Sequence, residues 1–476
     1  MTTPSVQTTT ARFGSLEHRG ILLGLGAAQL AVLTIAMVIA VAGVYSAGMS
    51  GLVAGAVVWL PLTIAGTASV RGRPVVEWVP LVAHWHARRL LGQTTQVTRA
   101  VAPARDLQIP GVPRSLSVTE TPDLAAAVIH DRRAGTLTAI ASVRGDGFVL
   151  DDAAAQEHKV AAWGRVLASL CQQPAVVRVQ LVLRTVPDGA AGVRRWWRQN
   201  AQAETPWAAR LLADLIDEAY DTSRRQDAFI AIALRTPRGR RRRLTAPGGA
   251  RLEQELVALT DALRGAELTV DHWVSLDRLG ATLRTAYDPV GAARAGDLGE
   301  VAASRLLGPM GVQEQWSYLR TDSAVHATYW VTQWPRSEVH PAFLQPLLLA
   351  SSGFRTVTLI AEPLPMAKAL REIRRAKVEH AADAAQRARV GRVEDESTRA
   401  QVADLARREQ DLIAGHGDLR FTGLITVTAA TLAELDGACA ATESAAAQSM
   451  CEIRRLVGQQ GLAHVAATLP LARGVM

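Results

Sequence analysis

The sequence has no Asp, Glu, Lys, Arg or His between Gly20 and Val70. That absence excludes an ordinary water-facing surface, and the stretch is about twice the roughly 20 residues one helix needs to cross a hydrocarbon layer. Cysteine is nearly missing too: Cys171, Cys439 and Cys451 are the full set in 476 residues. Without C-x-x-C spacing they exclude a disulfide scaffold and a paired-cysteine zinc site, and they suit a reducing compartment. Cys171 follows Val166-Leu167-Ala168-Ser169-Leu170, so it is expected to be a buried small hydrophobe. No G-x-x-x-x-G-K-[ST], H-E-x-x-H or G-x-S-x-G motif occurs, which removes the phosphate-cradling loop, the metalloprotease helix and the nucleophile elbow. No enzyme is expected, and no catalytic residue, cofactor or metal is assigned.

The uncharged stretch divides at Gly43-Val44-Tyr45-Ser46-Ala47-Gly48-Met49-Ser50-Gly51 into two expected spans, Ile21 to about Tyr45 and Leu52 to Val70. Arg12 and Arg19 precede it, and Arg71, Arg73, Arg88 and Arg89 follow it. By the positive-inside rule both flanks are cytoplasmic, which gives a multi-pass protein of the inner (plasma) membrane. The apolar segment is longer than a signal-peptide core, so its removal is not expected. The competing reading is a buried helical hairpin in a soluble protein. Downstream, Trp78, Val82, Trp85 and Arg89 recur at helical spacing. Trp78, Trp85, Arg88 and Arg89 are therefore candidate membrane-interface residues; an amphipathic helix docked on the soluble part is the alternative.

Charge is mixed, with 52 basic and 44 acidic residues and a formal excess of +8. Such an excess fits an anionic membrane face as well as nucleic acid. The expected fold class is a membrane-anchored α+β protein: a two-helix transmembrane hairpin followed by two mixed α/β lobes. Its boundaries are 1–19 N-terminus, 20–70 hairpin, 71–122 interfacial helix and linker, 123–288 first domain, 289–311 linker, and 312–476 second domain with a long polar helical segment. In the first domain, Thr136 to Val143 and Gly147 to Leu150 pattern as a strand pair, followed by a helix from Ala154 to Gln172. In the second, Pro365 to Ala414 patterns as one polar helix or a pair, and Leu419 to Thr428 as a strand. No internal repeat is visible.

The sharpest polar feature is Arg238, Arg240, Arg241, Arg242 and Arg243 around Gly239, a candidate phosphate- or partner-binding loop. It lacks the interleaved aromatics on which single-stranded bases stack. His326, Trp330, Trp334 and His340 invite a site, although strand periodicity makes the tryptophans core or interface residues. Glu409, Asp411, His416 and Asp418 flank Gly415 and Gly417; a helix ending at glycine is the simpler account of them than an acid–base pair.

Two closing segments carry a family resemblance. Glu409-Gln410-Asp411-Leu412-Ile413-Ala414-Gly415-His416-Gly417, and Arg454-Arg455-Leu456-Val457-Gly458-Gln459-Gln460-Gly461-Leu462-Ala463 before Thr468-Leu469-Pro470-Leu471-Ala472-Arg473-Gly474, resemble the amino-terminal, non-ATPase region of conjugation-type secretion ATPases. Arg12-Phe13-Gly14, the two spans and Arg73-Pro74-x-x-Glu77-Trp78 resemble the small two-span membrane subunit of the same machines. The whole is similar to actinobacterial membrane proteins of type IV (conjugation-like) secretion. The resemblance places no catalytic residue and ends where a motor domain would begin. It implies a structural adaptor that works with other inner-membrane secretion subunits and recruits a separate ATPase, with self-association and anionic lipid as further partners and nucleic acid not favoured. Alternatives are an accessory membrane component of type VII secretion and a membrane-tethered nucleic-acid-handling protein.

Overall fold

A computed structural model describes residues 26–70, 73–97, 107, 109–112, 116–121, 123–145, 147–148, 150–188, 191–200, 207–218, 224–236, 246–297, 308–335, 337, 339–349, 353–389 and 396–474. The chain divides into two compact units, one built on Ser15–Thr95 and one on Gln96–Leu456 with Gln460–Met476.

In the first unit a helical run, α1 (Ala27–Thr67), is followed by the paired strands β1 (Ser69–Val70) and β2 (Arg73–Pro74) and by α2 (Val75–Leu90), which packs on α1. The run is not straight. Ala47 and Gly48 leave helical geometry, Gly48 at φ +61°, and the chain folds back on itself there. The arms touch at both ends of this fold: Gln29 Nε2 donates to the Gly66 carbonyl at 2.9 Å, and a Cβ on Gly51 would lie 2.1 Å from the Gly43 carbonyl oxygen. Only glycine permits that approach.

The placement expected from the sequence requires correction here. A multi-pass protein of the inner membrane with both flanks cytoplasmic calls for two spans, whereas the described residues contain one helix, Ala27–Thr67, long and apolar enough to cross a membrane, and the rest is largely a mixed α/β body.

The second unit is that body. Its first half runs β3 (Thr95–Val97), β4 (Leu116–Glu120), β5 (Ala127–Asp131), β6 (Thr136–Gly145), α3 (Ala153–Gln172), β7 (Val176–Pro187), α4 (Ala191–Asn200), α5 (Trp207–Glu218), β8 (Arg224–Arg235), α6 (Ala246–Arg264), β9 (Leu268–Trp273) and α7 (Leu276–Tyr287). After α8 (Pro289–Asp297) the second half runs β10 (Gly311–Glu314), β11 (Leu319–Thr321), β12 (Val325–Gln333), α9 (Gln345–Leu349), β13 (Phe354–Leu364), α10 (Met366–Arg389), α11 (Glu396–Ile413), β14 (Asp418–Ala429), α12 (Leu432–Gln448), β15 (Glu452–Arg455) and α13 (Gln460–Thr468).

From β4 to α7 and from β10 to α13 the order of elements is the same. The sheet repeats it in space: β4-β5-β6-β8-β7 meets β13-β14-β12-β11-β10, with β9 on β6, β15 on β12, and β3 outside β10. This is an internal duplication that the sequence did not reveal. The two expected lobes are also not separate, because β7 and β13 pair antiparallel from Thr356↔Arg184 to Ala361↔Val179 and make one continuous sheet.

Alternation explains the layers. Ile230, Ile232 and Leu234 of β8 face Val166 and Leu170 of α3 and Leu252, Leu256 and Leu263 of α6. Phe229, Ala231 and Ala233 point the other way, toward Leu279 and Leu283 of α7 and Leu469 and Leu471 beyond α13. In the second half, Val325, Ala327, Tyr329, Ile425 and Val427 meet Leu435, Ala438 and Ala445 of α12.

Several local expectations shift. The partner of β6 across a tight turn is β5, not Gly147 to Leu150, and β4 lies inside the expected linker 71–122. Part of the expected linker 289–311 is helix α8. The polar stretch Pro365 to Ala414 is a pair of helices, α10 and α11.

Gln180, fully buried on β7, ties the halves. Its Nε2 donates to the Ala466 and Leu469 carbonyls at 3.0 Å each, and its Oε1 accepts from Ala472 N at 2.6 Å. Gln180→Leu leaves those backbone groups unpaired in the interior, and urea unfolding is expected to show a loss of about 2–4 kcal/mol; an unchanged midpoint would contradict this role.

Candidate functional site

Most polar side chains in α1 are satisfied locally, Tyr45 at the fold-back being exposed. Thr34, Thr63 and Thr67 donate to the carbonyls of Leu30, Trp59 and Thr63 at 2.8–2.9 Å. Ser46 and Ser50 donate to Gly43 and Ala47, and the Trp59 indole to Leu52. Gln29 spends both ends of its amide, accepting from Gly26 N and donating to Gly66. The outside is correspondingly apolar: Met37, Val38, Val41, Met49, Val53 and Val57 are exposed, Val57 at 80 %. Returning such side chains from water to an apolar medium is worth about 1.5–3 kcal/mol for each one fully covered.

The proposed interface residues of α2 separate. Trp85 is only 5 % exposed, so its indole is buried within the protein and is not offered to a headgroup layer, a correction to its expected role. Trp78 is half-buried and its indole N–H reaches the Val70 carbonyl at 3.4 Å. Arg88 is half-buried and Arg89 exposed in the last turn of α2. Arg238, Arg240, Arg241, Arg242 and Arg243 lie outside the described residues, as do Arg12, Phe13, Gly14, Arg19 and Arg71.

The four aromatic and imidazole positions do not converge. His326 is completely buried, Trp330 lies under the Arg454 guanidinium at 5.1 Å, Trp334 packs edge-on to Phe343 and Phe421, and His340 is exposed, accepting from Ala342 N at 3.1 Å. Glu409, Asp411, His416 and Asp418 belong to a helix end. His416 N donates to the Asp411 carbonyl at 3.0 Å and Gly415 N, at φ +95°, to Leu412 at 3.1 Å, the paired bonds of a Schellman cap. Glu409 pairs with Lys377 of α10, and Arg408 clasps Asp418 through two bonds. A shallow hollow of about 290 Å³ lies over Arg408, Asp411, Leu412, His416, Gly417 and Asp418. The cap accounts for these residues. Cys171 is half-buried, and burial pushes its thiol up to about 11, as expected of an unreactive packed cysteine.

What sequence reasoning missed is a buried polar joint under α7 and α13. On this face β12 and β14 present His326, Thr328, Thr426 and Thr428, all buried. His326 Nε2 meets the Tyr287 carbonyl at 3.0 Å and Thr321 Oγ1 at 2.8 Å, and its Nδ1 meets Thr428 Oγ1 at 2.8 Å. A carbonyl only accepts, so Nε2 carries the proton and Nδ1 accepts from the threonine. Gln460 takes up the Thr328 backbone between β11 and β15, its Oε1 accepting from Thr328 N at 2.9 Å. Beside this network the His464 ring of α13 lies 4.4 Å from His326 and 5.0 Å from Tyr287, centroid to centroid. Neither nitrogen of His464 nor the Tyr287 hydroxyl has a hydrogen-bond partner of good geometry. The signal was present in the alternation of Thr and His with apolar residues on two interior strands, but most of their partners are distant along the chain, Thr426 being 98 residues from Thr328, Thr428 102 from His326 and Gln460 132 from Thr328.

Among the described residues, no group of three or more His, Cys, Asp or Glu side chains is placed to hold a metal ion. No family model matches the chain, and no curated protein matches it.

The joint is neutral. Burial holds His326 down to about 4, against the upward pull of the Tyr287 carbonyl and Asp288. Burial first, then the His326 ring, lowers His464 well below its ordinary value, with the Ala286 carbonyl opposing. Unfolded histidine titrates near about 6.5. The full contribution is therefore present above that pH. As pH falls from there toward 4, the unfolded chain takes up protons that the fold refuses, and stability drops by roughly 1.4 kcal/mol per pH unit for each such histidine. Urea midpoints at pH 7.5 and 5.5 should differ in the native chain and differ less in His464→Phe; equal pH dependence in both would contradict the assignment.

Proposed function

We propose that this chain is a bilayer-tethered structural component of a secretion or conjugation-type assembly, with the apolar run α1 as tether and the α/β body as the surface offered to other subunits and to a separate ATPase. The observation that carries the tether is that most polar side chains of α1 bond locally: Gln29, three threonines, two serines and Trp59 bond within the run or to its N-cap Gly26, with Tyr45 exposed at the fold-back. In water those groups have no need of such partners, whereas in hydrocarbon each unsatisfied one costs several kcal/mol.

The adaptor reading is supported by the resemblance of the closing segments to the non-ATPase region of conjugation-type ATPases. In this fold those segments are the α11 cap, the helix α13 and the strap 469–474, whose contacts brace the sheet. They are residues that hold a scaffold together, consistent with a region that works by being in place.

Two measurements test the two parts. The native chain is expected to float with lipid vesicles and to resist a carbonate wash, whereas Met37→Asp with Val57→Asp moves it to the supernatant without altering the urea midpoint of the body; a native chain that washes off would contradict the tether. Affinity purification from host membranes is expected to co-purify a nucleotide-hydrolysing motor protein in fixed ratio; recovery of this chain alone from mildly solubilised membranes would contradict the adaptor role.

A further inference from the structure

Residues 460–474 cover the joint without belonging to the sheet. None of them lies in a strand; side chains reaching up from the strands beneath hold them in place. Gln180 takes the Ala466 and Leu469 carbonyls and the Ala472 amide, Thr358 donates to the Ala467 carbonyl, Arg178 donates to the Ala472 carbonyl, and Glu314 accepts from Gly461 N. Lifting the segment away leaves every strand ladder closed and uncovers the Thr328 amide that Gln460 takes. Its apolar hold is modest. Toward Ile360 and Leu424 it offers Ala463, Ala466 and Ala467, and its larger buried aliphatic side chains are Val465, Leu469 and Leu471. The chain enters α13 through Gly458 at φ +70°, a left-handed residue at which the backbone turns.

His464 stands inside this cover, fully buried between the His326 ring of β12 and the Tyr287 ring of α7. Among the described residues no carboxylate bonds to it. The charged groups on the surrounding elements are engaged elsewhere. Asp288 accepts from Gly291 N and Ser323, Arg178 pairs with Glu362, and Arg184 pairs with Asp227. Arg454 lies over Trp330, Arg355 points to Thr442 of α12 on the opposite face, and Arg320 is exposed. Asp418 and Arg420 sit at the other end of β14, and half-buried Arg284, one turn before Tyr287, adds a cation and not an acid. An imidazolium formed in place would have two rings and the Ala286 carbonyl for neighbours and no anion, whereas one formed in water is fully solvated.

We propose that residues 460–474 are an acid-released cover: charging His464 lifts α13 and the strap off the joint as a unit about Gly458, uncovering Gln180, His326, Thr328 and Thr358 while the duplicated sheet stays folded. The device needs neither the tether nor the adaptor reading. The closed cover excludes the proton, and the open one accepts it at the ordinary histidine value of about 6.5. The closed form therefore has its full advantage above that pH and loses it as pH falls, and between pH 7.5 and 5.5 the open fraction rises about tenfold for one histidine.

The test is hydrogen exchange on the full chain, expressed as protection relative to an unstructured chain at the same pH. Peptides within 460–474 are expected to lose about tenfold in protection from pH 7.5 to 5.5, to change little from pH 8.5 to 7.5, and to do so while β7, β8, β13 and β14 keep theirs. In His464→Phe the same peptides keep their protection at pH 5.5. The native chain decides by itself if that variant does not fold. An onset only below pH 5 assigns the opening to Asp131, Glu314 and Glu362, the carboxylates around the segment, and overturns the proposal. Equal protection at every pH overturns it, as does loss of protection in cover and strands together, or an unchanged pH response in folded His464→Phe.

Discussion

The ladder between β7 and β13 is the contact on which the body depends. Each is the last strand of its own half-sheet, with a neighbour on one side only until the other half arrives. Joining them converts two exposed, aggregation-prone edges into the centre of a single sheet. The joint is then covered from one face by α13 and the strap that follows it. Gln180 reaches that strap from β7, Arg178 grips Glu362 and the Ala472 carbonyl, and Arg473 lies 2.7 Å from buried Asp131 on β5. The last described residues of the chain therefore brace strands of the first half.

This arrangement explains why the interior is polar where the halves share a cover. A helix from each half, α7 and α13, lies over a face of His and Thr side chains, and the hydroxyls are needed because strand and helix backbones meet there with unpaired groups: Thr321 donates to the Tyr287 carbonyl at 2.6 Å and Thr358 to Ala467. Such a network is rigid only when its members are neutral and paired. His464, buried with no hydrogen bond of good geometry, is its weakest member.

Local signals in the sequence were legible where a single element carried its own pattern. The helix expected from Ala154 to Gln172 is α3, and the glycine stop at Gly415 marked the end of α11. Strands whose meaning lies in distant partners were not legible. β4 and β5 are five residues each, and a turn around Gly145 and Gly147 looked like a hairpin, while the real neighbours of β6 are β5, β8 and β9. The duplication was hidden for the same reason: it lives in pairing order, which composition and periodicity do not encode. Of the candidate site, the apolar character of the run was legible because solvation acts on composition alone, whereas the two spans expected of it are not what the described residues contain. Trp85 was misplaced, since helical spacing cannot tell a face that meets lipid from one that meets protein.

Two kinds of surface thus coexist in one chain, a body braced by polar bonds across its duplicated halves and an apolar run most of whose polar side chains bond locally. The most direct test of that division is labelling in native membranes with a lipid-dissolved photoreactive carbene reagent, read by mass spectrometry of peptides. The account predicts label concentrated in Ala27–Thr67 and absent from β6, β7, β8, β13 and β14. Label absent from Ala27–Thr67, in membranes where known integral proteins are labelled, would contradict it.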